Sequence, residues 1–224
     1  MNDNGKCCAI IPAYEEGLEI AGVVTKALEY AKEVFVVDDG SMDNTSEEAA
    51  GAGAMVIRHE RNLGKGTALL SGVRRAIEHG YEIGVFLDGD GQHDPAEIPK
   101  LVRALREGAD MVVGCRMSKP DGMPSVRLFT NMAMSAVLGI LTKKRILDTQ
   151  SGFKAIRLKK LLGIDFRTAR FDWESELIIK AARRGLNMRE VRIKSIYMNH
   201  HRSKIKVFSD TLRFFRLILT NIIY

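Results

Sequence analysis

Five short apolar runs, each ending in charged or ring-bearing residues, alternate with stretches of helical periodicity. That alternation limits the available folds more than any other feature. "CCAII" leads into "PAYEEG", "VFVV" into "DDGSMDNT", "AMVI" into "RH", "GVFL" into "DGDGQHDP" and "MVVG" into "CR". Short β-branched runs that are apolar throughout suit strands covered on both faces, and so a mainly parallel sheet between helices. Between them, Ile20, Val24, Ala27, Leu28 and Ala31 fall at helical spacing. Asn44 or Thr45 is placed to cap the next helix. "GKGTALLSGVRRAIEHG" reads as a helix with a glycine stop, and Pro95 suits the first turn of "PAEIPKLVRALREG". The class expected is α/β: a mixed, mostly parallel sheet flanked by helices. In such sheets functional groups collect beyond the carboxyl ends of the strands.

Past Arg116 the pattern changes. A Pro/Gly/Ser loop, "SKPDGMPS", precedes the helical "VRLFTNMAMSAVLGILTKK", with Arg127 near its start. "ILDTQSGFKAIR" reads as a loop and short strand, "WESELIIKAARRG" as a helix, "NMREVRIKSIYM" as a strand and "KVFSDTLRFFRLILTNII" as a last, amphipathic helix. No linker detaches these pieces. We therefore expect one domain over 1–224, with a front half of 1–118 and a back half of 119–224. Residues 1–140 hold 14 Lys and Arg against 21 Asp and Glu, whereas residues 141–224 hold 20 against 7. A basic back half points to an anionic partner or to an ordinary solvated basic surface. Cys7, Cys8 and Cys115 form no ligand spacing or disulfide framework, which favours a reducing compartment. "MNDNGK" lacks a signal-peptide core, and no run reaches the ~18 apolar residues of a membrane span.

The acidic cluster after "GVFL" carries the chemistry. Asp88 and Asp90, two residues apart on an extended chain, point the same way, and two like charges held together need a counter-charge. A hard divalent cation with a phosphorylated ligand supplies one; an acidic surface turn is the plain alternative. Tyr14 offers a ring to a nucleobase and Glu16 an acceptor for base N–H groups, while Asp38 and Asp39 can hold base or ribose groups. "NLGKG" is not a phosphate-binding P-loop, because His59 stands five residues before Gly64 and Gly66 follows Lys65. Gly64 and Gly66 permit close backbone approach at a helix start. Lys65 either faces a diphosphate there or is a solvated lysine. His93 reads as a turn residue and Asp94 as a helix cap.

The ordered set "IIPAYEE", "VVDDGSMDNT", "RNLGKGTAL", "LDGDGQHDP", "DTQSGFKAI" and "SKI" resembles family-two inverting glycosyltransferases of GT-A fold. Within that group it is most similar to the polyprenyl-phosphate sugar synthases, of the dolichyl-phosphate mannose synthase kind. The likeness runs from about Cys8 to the last helix. It implies a nucleotide-sugar-binding front half and an acceptor-side back half. Donor contacts then fall to Pro12, Tyr14, Glu16, Val37, Asp38, Asp39, Lys65, Asp88, Gly89, Asp90 and Lys204. A Mg²⁺ or Mn²⁺ ion falls to Asp88, Asp90 and Gln92, with Asp90 counted among the catalytic residues. Arg116 and Arg127, also catalytic on this reading, would hold an acceptor phosphate, with Thr130 a weaker match to a serine. The mannose-synthase pattern R-x-x-G-x-S-K departs here: Met198 and His201 replace its arginine and glycine, while Ser203 and Lys204 match. That leaves GDP-mannose and UDP-glucose both open as donor types.

A phosphate monoester is already ionised near neutrality and needs cations to position it, whereas a sugar hydroxyl needs a general base. Arginine suits the first task through its bidentate fork. For the second, Asp148, Asp172, Glu174 or Glu176 would serve as base, on a glycan or glycolipid hydroxyl, although a structural or acceptor-loop role is the one expected of Asp148. In the last helix Phe208, Leu212, Phe215, Ile218, Leu219 and Ile222 fall near helical spacing among Lys204, Lys206, Arg213 and Arg216. Such a helix lies on a lipid surface or packs on the domain. The enzyme expected is peripheral, at the cytoplasmic face of a membrane. A nucleic-acid-binding module is the reading from another class, but aromatic residues are sparse among the basic ones and no nucleic-acid motif is present, so no nucleic-acid partner is expected.

Overall fold

In the computed structural model, which describes residues 7–116, 125–166, 172–194, 196, 214, 217 and 218, the early apolar runs become strands as expected. These are β1 (Cys7–Ala13), β2 (Glu33–Asp38), β3 (Met55–Arg58), β4 (Ile83–Phe86) and β5 (Met111–Cys115), followed by β6 (Lys154–Arg157) and β7 (Met188–Arg192). They form one sheet in the order β3-β2-β1-β4-β6-β5-β7. Every pairing is parallel except those of β6, which runs against both β4 and β5. The reversed strand brings the loop ahead of Lys154 to the rim where the other strands end. The two strands of the back half among the described residues thus join the same sheet, β6 inside it and β7 at its edge.

Helices α1 (Ile20–Leu28) and α4 (Ile98–Arg106) cover one face; α3 (Lys65–Glu78) and α6 (Trp173–Arg183) cover the other. Cys7, Ala9, Ile11 and Ala13 face the first layer with Val24, Ala27, Leu101 and Leu105. Cys8 and Ile10 face the second with Leu69, Val73, Leu177 and Ile178. Both sides of β1 are dry, which is why its sequence does not alternate. Each large side chain withdrawn this way, such as Phe35 or Phe86, contributes about 1.5–3 kcal/mol. All three thiols are buried and free, and burial pushes Cys7 up to about 12, so it is a packing residue.

Two caps differ from expectation in detail. At α2 (Thr45–Gly51), Asn44 occupies the cap position without a capping bond; Asp43 Oδ1 accepts from Thr45 N–H instead. Asp94 does accept from Ala96 N–H, but it caps the short 3₁₀ turn Pro95–Glu97 that precedes α4.

The long helix α5 (Ser125–Thr142) packs on α6 and has an unusual cross-section. Its inward positions include Asn131 and Ser135, both buried, beside Leu138. Ser135 Oγ lies 2.9 Å from Thr149 Oγ1. Its outward positions are Val126, Phe129, Met132 and Ile140. Phe214, Leu217 and Ile218, the described residues of the last helix, are helical and buried against Leu138 and Ile179. Of the two readings of that stripe, lipid surface or packing on the domain, Ile218 follows the second. Phe208, Leu212, Phe215, Leu219 and Ile222 lie outside the described residues. Among the described residues no helix is long and apolar enough to cross a membrane.

Candidate active site

The rim is assembled from three loops held by side-chain bonds. Pro12 pairs with Val37 across β1 and β2, so these two expected donor contacts adjoin. Beyond them the "AYEEG" and "DDGSMDNT" loops are stitched together. Glu15 N–H donates to Ser41 Oγ at 2.9 Å, Glu16 N–H to Thr45 Oγ1 at 2.9 Å and Gly17 N–H to Asp43 Oδ2 at 3.1 Å. Glu15 takes a left-handed backbone, φ 54°, a strained conformation for a non-glycine that the Ser41 bond helps hold. Tyr14 and Glu16 are half-buried here. A Cβ on Gly89 would sit 3.5 Å from both Ala13 and Glu16, so the β1 and β4 ends meet.

Asp38 and Asp39, both buried, work within the protein. Asp38 Oδ1 accepts from Ser41 N–H at 2.8 Å, and Oδ2 accepts from Ser46 Oγ with Arg58 nearby at 3.7 Å. Asp39 accepts from Leu63 N–H at 2.9 Å and Gly64 N–H at 2.7 Å, and pairs with His59 Nδ1 at 2.7 Å. Asp39 thus places its own carboxylate at the start of α3, where the sequence suggested a ligand diphosphate.

Lys65 is half-buried and paired rather than solvated. Its ammonium lies 2.6 Å from Asp88 Oδ1 and 2.6 Å from Glu174 Oε1. Burial alone would lower its pKa, but Asp88 and Glu174 more than reverse that and hold it charged. Burial would likewise raise Asp88, and Lys65 pulls it well below the usual carboxylate range. Gly66 has the packing role its size permits, since a Cβ there would meet Trp173 at 2.6 Å. Gly152 lies close under Asp88: a Cβ would be 2.4 Å from Oδ2 and 2.9 Å from Cγ.

Asp90 and Gln92 are half-buried at the same rim, and Asp90 Oδ1 accepts from Gln92 N–H at 3.0 Å. His93 is a buried part of the cluster rather than a turn residue. Its Nε2 is 3.6 Å from Asp88 Oδ2, and burial lowers its pKa to about 4, so it is neutral at physiological pH.

Arg116 ends β5 and is buried. Its guanidinium makes a fork with Asp148, Nε to Oδ2 at 2.8 Å and Nη2 to Oδ1 at 2.9 Å, and its N–H adds a third bond to Oδ2 at 2.9 Å. Burial works to raise Asp148, but those bonds and the Arg116 charge hold it below its ordinary range. Glu190 anchors the same turn by accepting from Leu147 and Asp148 N–H. Asp88 feels the Arg116 charge, so both belong to one electrostatic cluster.

Thr130 is half-buried on α5 and bonds back to the Val126 carbonyl at 2.8 Å. Arg127 lies in the first turn of α5; its side chain is outside the described residues, as are Met198, His201, Ser203 and Lys204. Lys154 escaped the sequence reading. It is buried at the start of β6, donates to the Ser151 carbonyl, and burial lowers it to about 8. Its sole sequence signal was a charge opening a short apolar run.

A seven-stranded, mostly parallel GT-A sheet with this acidic rim defines a class of nucleotide-sugar transferase. The family described as "Glycosyl transferase family 2" matches residues 8–164, and the chain belongs to that family and is a glycosyltransferase. It is 32% identical to a UDP-N-acetylglucosamine–dolichyl-phosphate N-acetylglucosaminyltransferase of Methanococcus voltae, over 94% of each chain. It is 30% identical to an undecaprenyl-phosphate mannosyltransferase of Micrococcus luteus, over 88% of this chain and 86% of the other. Among solved structures, glucosyl-3-phosphoglycerate synthase of Mycobacterium tuberculosis, in complex with Mn²⁺, uridine diphosphate and glucosyl-3-phosphoglycerate, shares the fold. Its TM-score is 0.74 at 23% identity, over 97% of this chain and 78% of that one.

Proposed function

We propose that the chain is an inverting, metal-dependent transferase that moves a sugar from a nucleoside diphosphate, of the GDP-mannose or UDP-sugar type, to a polyprenyl (dolichyl) phosphate. What carries the choice of acceptor is the state of the carboxylates. Three of the four candidate bases are held by cations: Asp148 is forked to Arg116, Glu174 is paired with Lys65, and Glu176 with Lys180 at 2.6 Å, while Asp172 stands at the cap position of α6. A carboxylate gripped by a cation is a poor general base, so the rim is better suited to a nucleophile that arrives ionised. The names of the M. voltae and M. luteus relatives, both polyprenyl-phosphate transferases, agree with this.

In this reading the acceptor phosphate oxygen attacks the anomeric carbon as the bond to the donor diphosphate breaks. The nucleoside diphosphate leaves with the electron pair, and a sugar phosphodiester forms with inverted configuration. Arg116, fixed in orientation by Asp148, and Arg127 steer the nucleophile. Thr130 is placed to assist them. Pro12, Tyr14, Glu16 and Val37 border the nucleotide, with Asp38 and Asp39 shaping the loops behind them. Gly89 allows close approach and Lys204 is assigned to the donor phosphates.

The oxygen donors at the rim fit a hard cation. No group of three His, Cys, Asp or Glu among the described residues would cage one, so diphosphate and water would supply the other ligands. Charge building on the departing diphosphate would be offset by Mg²⁺ or Mn²⁺ held at Asp90, with Asp88 and Gln92 beside it. Acting on a lipid acceptor, the enzyme would work as a peripheral protein at the cytoplasmic face of a membrane. The test is incubation with labelled nucleotide sugars, Mg²⁺ or Mn²⁺ and polyprenyl phosphate. A sugar phosphodiester on the lipid is expected. Transfer to a glycan or glycolipid hydroxyl, or no transfer from any donor, overturns the reading.

A further inference from the structure

Helix α5 is apolar on both of its sides. Its inward side packs Leu138, Met134 and Val137 and also buries two polar side chains, Asn131 and Ser135, the latter bonded to Thr149. Its water-facing side carries Val126 at 69% exposure, Phe129 at 76%, Met132 at 55% and Ile140 at 79%. Exposed Ala133 and Ala136 fill the stripe between them. At the end of the helix and just beyond it, Leu141 and Leu147 extend the apolar surface around Lys143, Lys144 and Arg145. No acidic residue stands between Asp121 and Asp148. Single exposed hydrophobics need no explanation, but a continuous stripe along one helix does.

We infer that this face of α5, with the basic run at its end, is the surface by which the enzyme rests on an anionic lipid bilayer. Charge selects this occupant over a second copy of the chain. A lipid headgroup layer offers anions to Lys143, Lys144 and Arg145 while its acyl boundary takes the rings and branched chains. A two-fold contact through the same stripe would instead bring like-charged segments into one interface with no acidic residue from this stretch to offset them. The last helix cannot supply the whole contact, because Phe214, Leu217 and Ile218 are already covered by α5 and α6. For its purpose the inference rests on the polyprenyl-phosphate reading: α5 also carries Arg127 and Thr130, so a bilayer beneath it would present the acceptor headgroup to the helix start.

The experiment needs neither donor nor acceptor, so its failure is distinct from failure of that reading. The purified chain is sedimented with phosphatidylcholine vesicles, with and without phosphatidylglycerol. Binding to the anionic vesicles is expected. The Phe129→Ser/Ile140→Ser variant should lose about tenfold or more in affinity, from the loss of two large apolar contacts. Replacing Lys143, Lys144 and Arg145 by Gln should abolish the preference for phosphatidylglycerol. Both helix substitutions lie on exposed positions, and a milder probe guards against misfolding. Phe129→Trp adds an exposed indole to a chain whose own Trp173 is buried, and its emission should shift to the blue on anionic vesicles. Unchanged binding by the serine variant overturns the inference. So does an emission from the Phe129→Trp variant that vesicles do not move, or a wild-type dimer that the serine variant converts to monomer without any vesicle binding.

Discussion

The two aspartate pairs at the rim, Asp38/Asp39 and Asp88/Asp90, look alike in sequence and differ in what surrounds them. The first pair is buried and bonded to backbone N–H groups, hydroxyls and His59, so its negative charge is dispersed over many short dipoles. The second is half-buried, and Asp88 answers to one full cation, Lys65. The same residue type thus serves loop scaffolding at the end of β2 and, in the proposed reading, the chemistry beyond β4, with β1 between them. The difference lies in the partners: the first pair is held mainly by backbone N–H groups and hydroxyls, with Arg58 3.7 Å from Asp38, whereas Asp88 has a full cation 2.6 Å away at a wetter rim.

The largest expected effect comes from removing the cation that defines the second pair. Lys65→Met leaves Asp88 and Glu174 facing each other without their shared ammonium. Breaking a buried pair on one side costs about 3–5 kcal/mol, to be read from urea unfolding. Adding Glu174→Gln should recover part of the loss; a strictly additive double variant would show that the three groups do not form a unit. Next comes Asp90→Asn. If Asp90 serves the chemistry and not the scaffold, transfer falls about a hundred- to a thousandfold, while stability stays within about 0.5 kcal/mol of wild type. Asp39→Asn is expected to behave the other way. Leu63 and Gly64 N–H bind different oxygens, so it places an amide NH₂ against one or the other, and about 1–3 kcal/mol of stability should be lost. Equal stability losses in Asp39→Asn and Asp90→Asn would erase the distinction.

The same contrast explains what the sequence could disclose. Strand runs, the glycine stop after α3 and the placing of "DGDGQH" at a strand end were legible because apolar runs and turn residues are local signals. The direction of β6 was not, since a four-residue strand reads the same whichever way it pairs. Nor was the Lys65–Glu174 pair, whose members are brought together by α3 and α6 packing through Gly66 and Trp173. Asp148 was legible as a carboxylate in a motif, but its fork with Arg116 depends on the antiparallel strand that follows it. For α5 the helix was plain from its composition. Which side faces water was not, because apolar residues line both sides and the buried one also takes in Asn131 and Ser135, which patterning would assign to the surface.

The smallest effect tests whether scaffolding weakens smoothly with exposure. Asp43 belongs to the same loop as Asp38 and Asp39 but is exposed, and it accepts from Gly17 and Thr45 N–H. Burial works to raise its pKa, but the Thr45 and Gly17 bonds together outweigh that and leave it below its ordinary value of 3.8. A depressed carboxyl stabilises the fold above the unfolded pKa, and that stabilisation disappears as pH falls through the folded one. Asp43→Asn should therefore cost less than about 1 kcal/mol at neutral pH, because water screens the site. Paired urea titrations at neutral pH and well below 3.8 measure both ends: the gap between wild type and variant should close on acidification, since the protonated acid and the amide are then both neutral. A gap that persists in acid would mean that Asp43 acts through shape, and that dispersing charge over backbone donors is not what this loop has in common with its buried neighbours.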